Sequence, residues 1–205
     1  YTSSNPNFPF AKGVVLSTGD VSKIPGVNPA TPNTTTLSDG STAWVGDTDL
    51  QNILLSQSGV NFASINASSL TFDFHPVSAN FSFDFLFASE SYGVLQCAFS
   101  GAFAFILTDL TTGVSANLAV FNGNTPISVA SIRNSLYNSN CPSVNANFFG
   151  AYNSSGFGPA INFNGQTIKM TAAAVVDVTH DYRIKLVIAD GADATGTPSP
   201  TYEIG

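Results

Sequence analysis

Five carboxylates in this 205-residue chain sit where one turn could offer two oxygens or where a strand ends. Asp47 and Asp49 are two apart in Gly46-Asp47-Thr48-Asp49-Leu50, and Asp190 and Asp193 are three apart in Ile188-Ala189-Asp190-Gly191-Ala192-Asp193. Glu90 closes the run Phe87-Ala88-Ser89-Glu90-Ser91-Tyr92 and is the one glutamate before residue 203. A hard cation such as Ca2+ takes about six to eight oxygens converging from loops and strand ends. Asp47, Asp49, Glu90, Asp190 and Asp193 are therefore the candidate calcium ligands. The same residues have a plainer use, with Asp47 as a helix N-cap, Asp190 and Asp193 as turn formers, and Glu90 as an acceptor for backbone amides.

Other chemistry is thinly supplied. His75 precedes Pro76 and His180 precedes Asp181, and neither lies in a nucleophile elbow or a His-Glu-x-x-His pattern. Asp84 and Glu90, six apart on one extended run, would stand about 20 Å apart, too far to act together on a glycosidic bond. The expectation is that no residue is catalytic. Cys97 and Cys141 lack the Cys-x-x-Cys or Cys-His grouping of a zinc site. A disulfide between them is the favoured reading and would close a loop of 45 residues (141 minus 97, plus one); two buried thiols are the alternative. Trp44, Tyr92, Tyr137 and Tyr152 lie in or beside loops, where an exposed coplanar row would suit sugar rings and inward rings would suit a scaffold.

Strands must hold these residues. Phe81, Phe83, Phe85 and Phe87 recur at period two, which sends the rings to one face and Ser82, Asp84 and Leu86 to the other. Phe99, Phe103, Phe105 and Leu107 resume the apolar run after the acidic turn. Strand patterns also cover residues 14–16, 102–109, 114–121, 167–173 and 181–189. Residues 69–74 and 80–87 read as a hairpin joined near Pro76, with Phe72, Phe74, Phe81, Phe83, Phe85 and Phe87 inward. Residues 48–57, with Leu50, Ile53 and Leu54 at helical spacing behind Asp47, suggest one short helix, and 127–137 a second. Residues 25–41 and 138–158 read as long loops, the second carrying Phe148, Phe149, Tyr152 and Phe157. The fold class expected is all-β, a β-sandwich of jelly-roll type over residues 1–205 as a single domain.

Composition narrows the setting. Six Lys plus Arg against thirteen Asp plus Glu leave a net charge of −7, and no basic cluster is present to neutralise phosphates, so nucleic acid is not a partner. Charged residues are only 9% of the chain, so Ser, Thr, Asn and Gly must cover the surface. That coat is commoner on secreted β-proteins than on cytosolic enzymes. No apolar run approaches the roughly 18 residues of a membrane span, so insertion by this chain is not expected.

Five segments in order carry a resemblance. Phe87-Ala88-Ser89-Glu90-Ser91-Tyr92, followed by a cysteine and the Phe-rich run to Leu107, resembles the F-A-S-E-E-Y and F-N-D-x-F-x-F-F-L signature of the choice-of-anchor L domain, a bacterial surface and secreted module. G-V-V-L-S-T-G at 13–19, G-D-T-D-L at 46–50, N-G-N-T-P-I-S-V at 122–129 and Y-R-I-K-L-V-I-A-D-G at 182–191 match in the same order. The chain departs at Ser100-Gly101, where the family has Asn-Asp, and at 192–200, where the family is acidic. It begins near the first motif and stops soon after the last, so flanking strands of the family domain are expected to be absent. The resemblance implies a secreted or cell-surface, non-enzymatic module for adhesion, display or assembly, such as a filament or surface-layer component. Its partners would be an extracellular protein or glycan, or copies of itself, with a neighbour donating a strand to an open apolar edge. The alternatives are a carbohydrate-binding module and, more remotely, a secreted hydrolase.

Overall fold

The computed structural model describes residues 1–26, 28, 37, 39, 43–59, 61–98, 101–153, 161–191 and 204–205. In chain order its regular elements begin with a helix α1 (Thr48–Ser58), then strands β1 (Ser64–Phe74), β2 (Asn80–Phe85), β3 (Ala88–Ser89) and β4 (Ala102–Asp109). Short strands β5 (Ser115–Asn117), β6 (Val120–Phe121) and β7 (Thr125–Pro126) follow, and then β8 (Phe149–Tyr152), β9 (Gly165–Thr167), β10 (Met170–Val175) and β11 (Tyr182–Gly191). The fold is an all-β sandwich.

One sheet has the order β1-β11-β4-β5, antiparallel throughout. Facing it are β10-β2 and, along the same stretch of chain, β3-β9-β8. Period two sorts the side chains of the central strands. Phe103, Phe105 and Leu107 of β4 and Ile184, Leu186 and Ile188 of β11 turn inward, where they meet the rings of β2. Phe83 and Phe85 each pack edge-on against Phe105 at 4.9 Å, and Phe87 stacks on Phe103 at 5.1 Å. Offset and edge contacts of this kind add to the apolar area removed from water.

The opposite face of β4 and β11 is buried as well. Ala102, Ala104, Val187 and Ala189 form a shallow floor on which Leu50 and Leu54 of α1 rest. Small residues here let the helix approach, which explains why β4 reads as an unbroken apolar run rather than an alternating one. Asp47 caps α1 through a hydrogen bond from the Leu50 N–H at 2.9 Å, and Gly59 closes it at φ 70°. Gly46 has a separate reason: a Cβ there would come to 1.9 Å from the Ser64 carbonyl oxygen, so only glycine fits against the start of β1.

Five expectations need correction. Residues 69–74 and 80–87 do not form a hairpin: β1 pairs with β11 and β2 with β10, so the turn at Pro76 crosses between sheets. The apolar faces of both strands point into the same core, and stacking of Phe74 on Phe81 at 5.0 Å across that corner satisfies the pattern without backbone pairing. Phe72 points to the core side opposite Ile184 but is 47% exposed, because β1 is an edge strand that the facing sheet covers incompletely. Residues 127–137 form turns rather than a second helix, tied by isolated bridges from Ser128 to Ala102 and from Arg133 to Val144. The loop 138–158 contributes β8 and a short turn before it, whose rings pack inward, with Phe148 of the turn against Phe121 at 4.9 Å and Phe149 of β8 against Tyr92 at 5.1 Å; Phe157 lies outside the described residues. Residues 14–16 form no strand and have no ladder partner among the described residues.

Candidate functional site

The motif segments meet at one end of the sandwich. Asp190, on the inward face near the end of β11, accepts from the Thr18 hydroxyl at 2.9 Å and from the Asn66 amide at 2.8 Å. Asn66 adopts the left-handed conformation at φ 55°, inside the register shift between Ile65 and Ser68, and its amide also donates to the Thr18 carbonyl. Thr18 in turn exchanges bonds with Ile204, its N–H donating to the Ile204 carbonyl and its hydroxyl accepting from the Ile204 N–H. Burial pushes the Asp190 carboxyl up to about 6, against the pull of the two hydrogen bonds. This residue knots four chain segments together.

Glu90 anchors a second buried knot. Its carboxylate accepts from the N–H groups of Leu37 at 3.3 Å and Asn164 at 3.1 Å, while its own carbonyl accepts from the Asn164 amide at 2.7 Å. Asn28 completes the group by donating to the Asn164 side chain. Gly165 is required beside it, since a Cβ there would press within 2.9 Å of the Tyr92 Cβ. Tyr92 is fully buried, its hydroxyl has no hydrogen-bond partner among the described residues, and burial raises its pKa.

Among the described residues the acids Asp47, Asp49, Glu90 and Asp190 do not converge. Asp47 and Asp49 come together, but on the outer face of β11, where Lys185 lies 2.6 Å and 2.7 Å from their carboxylates. Asp190 is five residues from Lys185 and so points to the inner face, which places the sheet between it and the Asp47 pair. Glu90 is engaged with Leu37 and Asn164, and Asp193 lies outside the described residues. Among the described residues no group of three or more His, Cys, Asp or Glu is arranged to hold a metal ion. Asp47 serves as the helix cap, as its plainer reading has it.

Both histidines are paired with aspartates. His180 has Nδ1 2.8 Å from Asp109 and Nε2 3.9 Å from Asp177, so carboxylates face both nitrogens. His75 bonds Asp181 at the exposed rim. The loop aromatics do not form an exposed row: Tyr92 and Tyr152 are buried, Tyr137 packs edge-on against Tyr152 at 4.7 Å, and Trp44 alone is largely exposed, at 55%. Cys97 and Cys141 are joined, with Cα atoms 5.9 Å apart. Buried Gln96 reinforces the tie by accepting from Gly93 and donating to the carbonyls of Asn134 and Cys141.

Sequence reading missed a concave feature. A cavity of about 670 Å³ runs beside residues 83–88, with residues 13–16 on its other side and Phe103, Phe105, Leu186 and Ile188 across its floor. Its walls come from three of the resembling motifs, an association that spacing along the chain does not reveal.

Residues 1–199 match the Choice-of-anchor L domain, nearly the whole length described by the five motifs. The chain belongs to that family. No curated protein and no solved structure matches it. Choice-of-anchor domains are modules of cell-surface and secreted bacterial proteins, and they are not known enzymes. No helix among the described residues is long and apolar enough to cross a membrane.

Proposed function

We propose that this choice-of-anchor L chain is a non-enzymatic extracellular module for adhesion, display or structural assembly. The observation that carries the reading is the direction of the motif side chains. Glu90, Asp190 and Thr18, the groups with chemical potential, are turned inward and spent on cross-linking segments rather than lining an open polar cleft. A buried and satisfied network of this kind rigidifies a platform. The disulfide and the mutual packing of loop rings act in the same direction. The acidic residues belong to this scaffold: Lys185 bridges Asp47 and Asp49, and backbone amides donate to Glu90.

The test separates this reading from its rivals. Beads coated with the purified protein should cluster or be retained on protein-coated surfaces, and panels of glycoside and ester substrates should remain unturned. Retention on an insoluble polysaccharide that Trp44→Ala abolishes would replace the reading with the carbohydrate-binding one. Turnover of any substrate that scales with protein purity would restore the hydrolase.

A further inference from the structure

At the end of the sandwich where β11 begins, two carboxylates each bind their own turn with one oxygen and share a ring with the other. Asp109, the last residue of β4, accepts through Oδ1 from the N–H groups of Thr111 at 2.8 Å and Thr112 at 3.1 Å, which shapes the turn 110–114. Asp177 does the same for the turn 176–181, its Oδ1 accepting from the Thr179 N–H at 2.9 Å and hydroxyl at 2.7 Å. Both second oxygens face His180. Its Nδ1 lies 2.8 Å from Asp109 Oδ2 and its Nε2 3.9 Å from Asp177 Oδ2, in a side chain only 24% exposed.

That placement sets a protonation requirement. A neutral imidazole has one N–H and one lone pair, so in either tautomer one of the two carboxylates faces a lone pair, whereas an imidazolium offers a donor to both. The neighbouring groups keep the requirement in place. Hydrogen bonds from Thr179 hold Asp177 below the ordinary 3.8, and Asp109, which burial pulls up, is held at about 2 by His180 and the amides of Thr112 and Thr111. The Tyr182 ring is 6.5 Å from the imidazole, and its hydroxyl accepts from the Asp177 N–H at 2.9 Å. Asp181 turns instead to His75 on the corner after β1, at 2.9 Å, and Arg183 is held by both oxygens of Asp73.

We propose that His180 is a pH-sensitive clasp: protonated, it ties the turns 110–114 and 176–181 into one rigid tip, and on losing its proton it releases one turn from the other. The change is local, because a backbone bond from the Leu110 N–H to the Asp181 carbonyl at 2.9 Å keeps the turns adjacent in either state. The bond to Asp109 raises the His180 pKa above its ordinary 6.5, against the effect of burial. A proton held more tightly in the fold than in the unfolded chain gives stability that is complete below 6.5 and is lost as pH rises through the higher folded value. The clasp is thus closed in mild acid. Asp190, at the other end of β11, titrates separately at about 6.

Two-dimensional NMR of the 205-residue protein reads ring and turns together, with Asp190→Asn as the background that removes the titration at the other end. His75→Asn assigns the two histidine signals, and the His180 midpoint should lie above 6.5. It should fall in Asp109→Asn and in Asp177→Asn, each of which keeps an acceptor for its own turn. Protection of the Thr111, Thr112 and Thr179 amides, corrected for intrinsic exchange, should drop roughly threefold or more as pH rises through the midpoint, while that of Phe105 and Ile184 in the core holds. His180→Gln should show the lower protection at every pH. His75→Asn should leave the turns unchanged, because its pair with Asp181 is largely exposed. A midpoint at or below 6.5, or one that neither aspartate variant moves, would overturn the clasp. Constant protection through the midpoint would overturn it too, leaving a histidine that titrates and holds nothing, and an equal loss in the core amides would assign the effect to global stability instead. None of these outcomes touches the bead and substrate tests of the module reading, which the clasp goes beyond.

Discussion

Asp190 sits where a negative charge is poorly solvated, and its two hydrogen bonds do not fully compensate. Its pKa in the fold is about 6, against an ordinary value of 3.8, so the folded state holds a proton that the unfolded chain releases. Stability from this group is therefore lost as pH rises from about 4 to about 6 and stays lost above that. At about 1.4 kcal/mol per pKa unit the change is on the order of 2 to 3 kcal/mol. Asp190→Asn keeps the shape and removes the titration. Urea unfolding at pH 4 and pH 7 should show the variant gaining on the wild type by that amount across the interval, and a difference that does not move with pH would show that Asp190 is ionised at no cost. Asp109 illustrates the opposite balance. Burial pulls its carboxyl up, but His180 and the amides of Thr112 and Thr111 outweigh that and hold it at about 2.

At the scale of elements, β2 and β4 form the contact that makes the two sheets one core. Phe83 and Phe85 both lean on Phe105, so truncating either leaves a cavity between the sheets. Phe83→Ala or Phe85→Ala should cost about 3 to 5 kcal/mol in unfolding free energy. Phe72→Ala, equally placed by period two but half exposed on the edge strand β1, should cost under about 1.5 kcal/mol. Equal losses at all three positions would mean that β1 is covered in solution by something not paired with it in the chain. The pattern of alternation was legible for each of these residues. What the pattern did not carry was the partner strand, because a ring that faces inward can be satisfied across a corner as well as across a hairpin.

For the whole molecule, the covalent tie between Cys97 and Cys141 has the widest reach. It fixes the turn after β3 to the long segment leading into β8, across a sequence separation of 44. Closing a loop of that size removes roughly 4 kcal/mol of entropy from the unfolded chain. Reduction, or replacement of both cysteines by serine, should lower the melting temperature markedly. Chelator should not, because Asp47 and Asp49 already share Lys185 as their cationic partner. A melting temperature that falls with chelator and not with reductant would reverse these roles.

Much of this architecture was present in one dimension. The period-two rings of β2, the apolar runs of β4 and β11, the Asp47 cap of α1 and the pairing of the two cysteines are properties of neighbouring residues or of a chain with few options, and local sterics and burial decide them. Tertiary structure decided which faces the acids share. Asp190 and Lys185 differ by an odd number of residues on β11, so the pleat sends them to opposite sides of the sheet, and carboxylates that look alike along the chain are separated by a layer of backbone. It also decided that the apolar residues 14–16 line one cavity together with residues 83–88 and Gly205. No spacing in the chain encodes that neighbourhood, because it depends on how the strands of two sheets close around a common core.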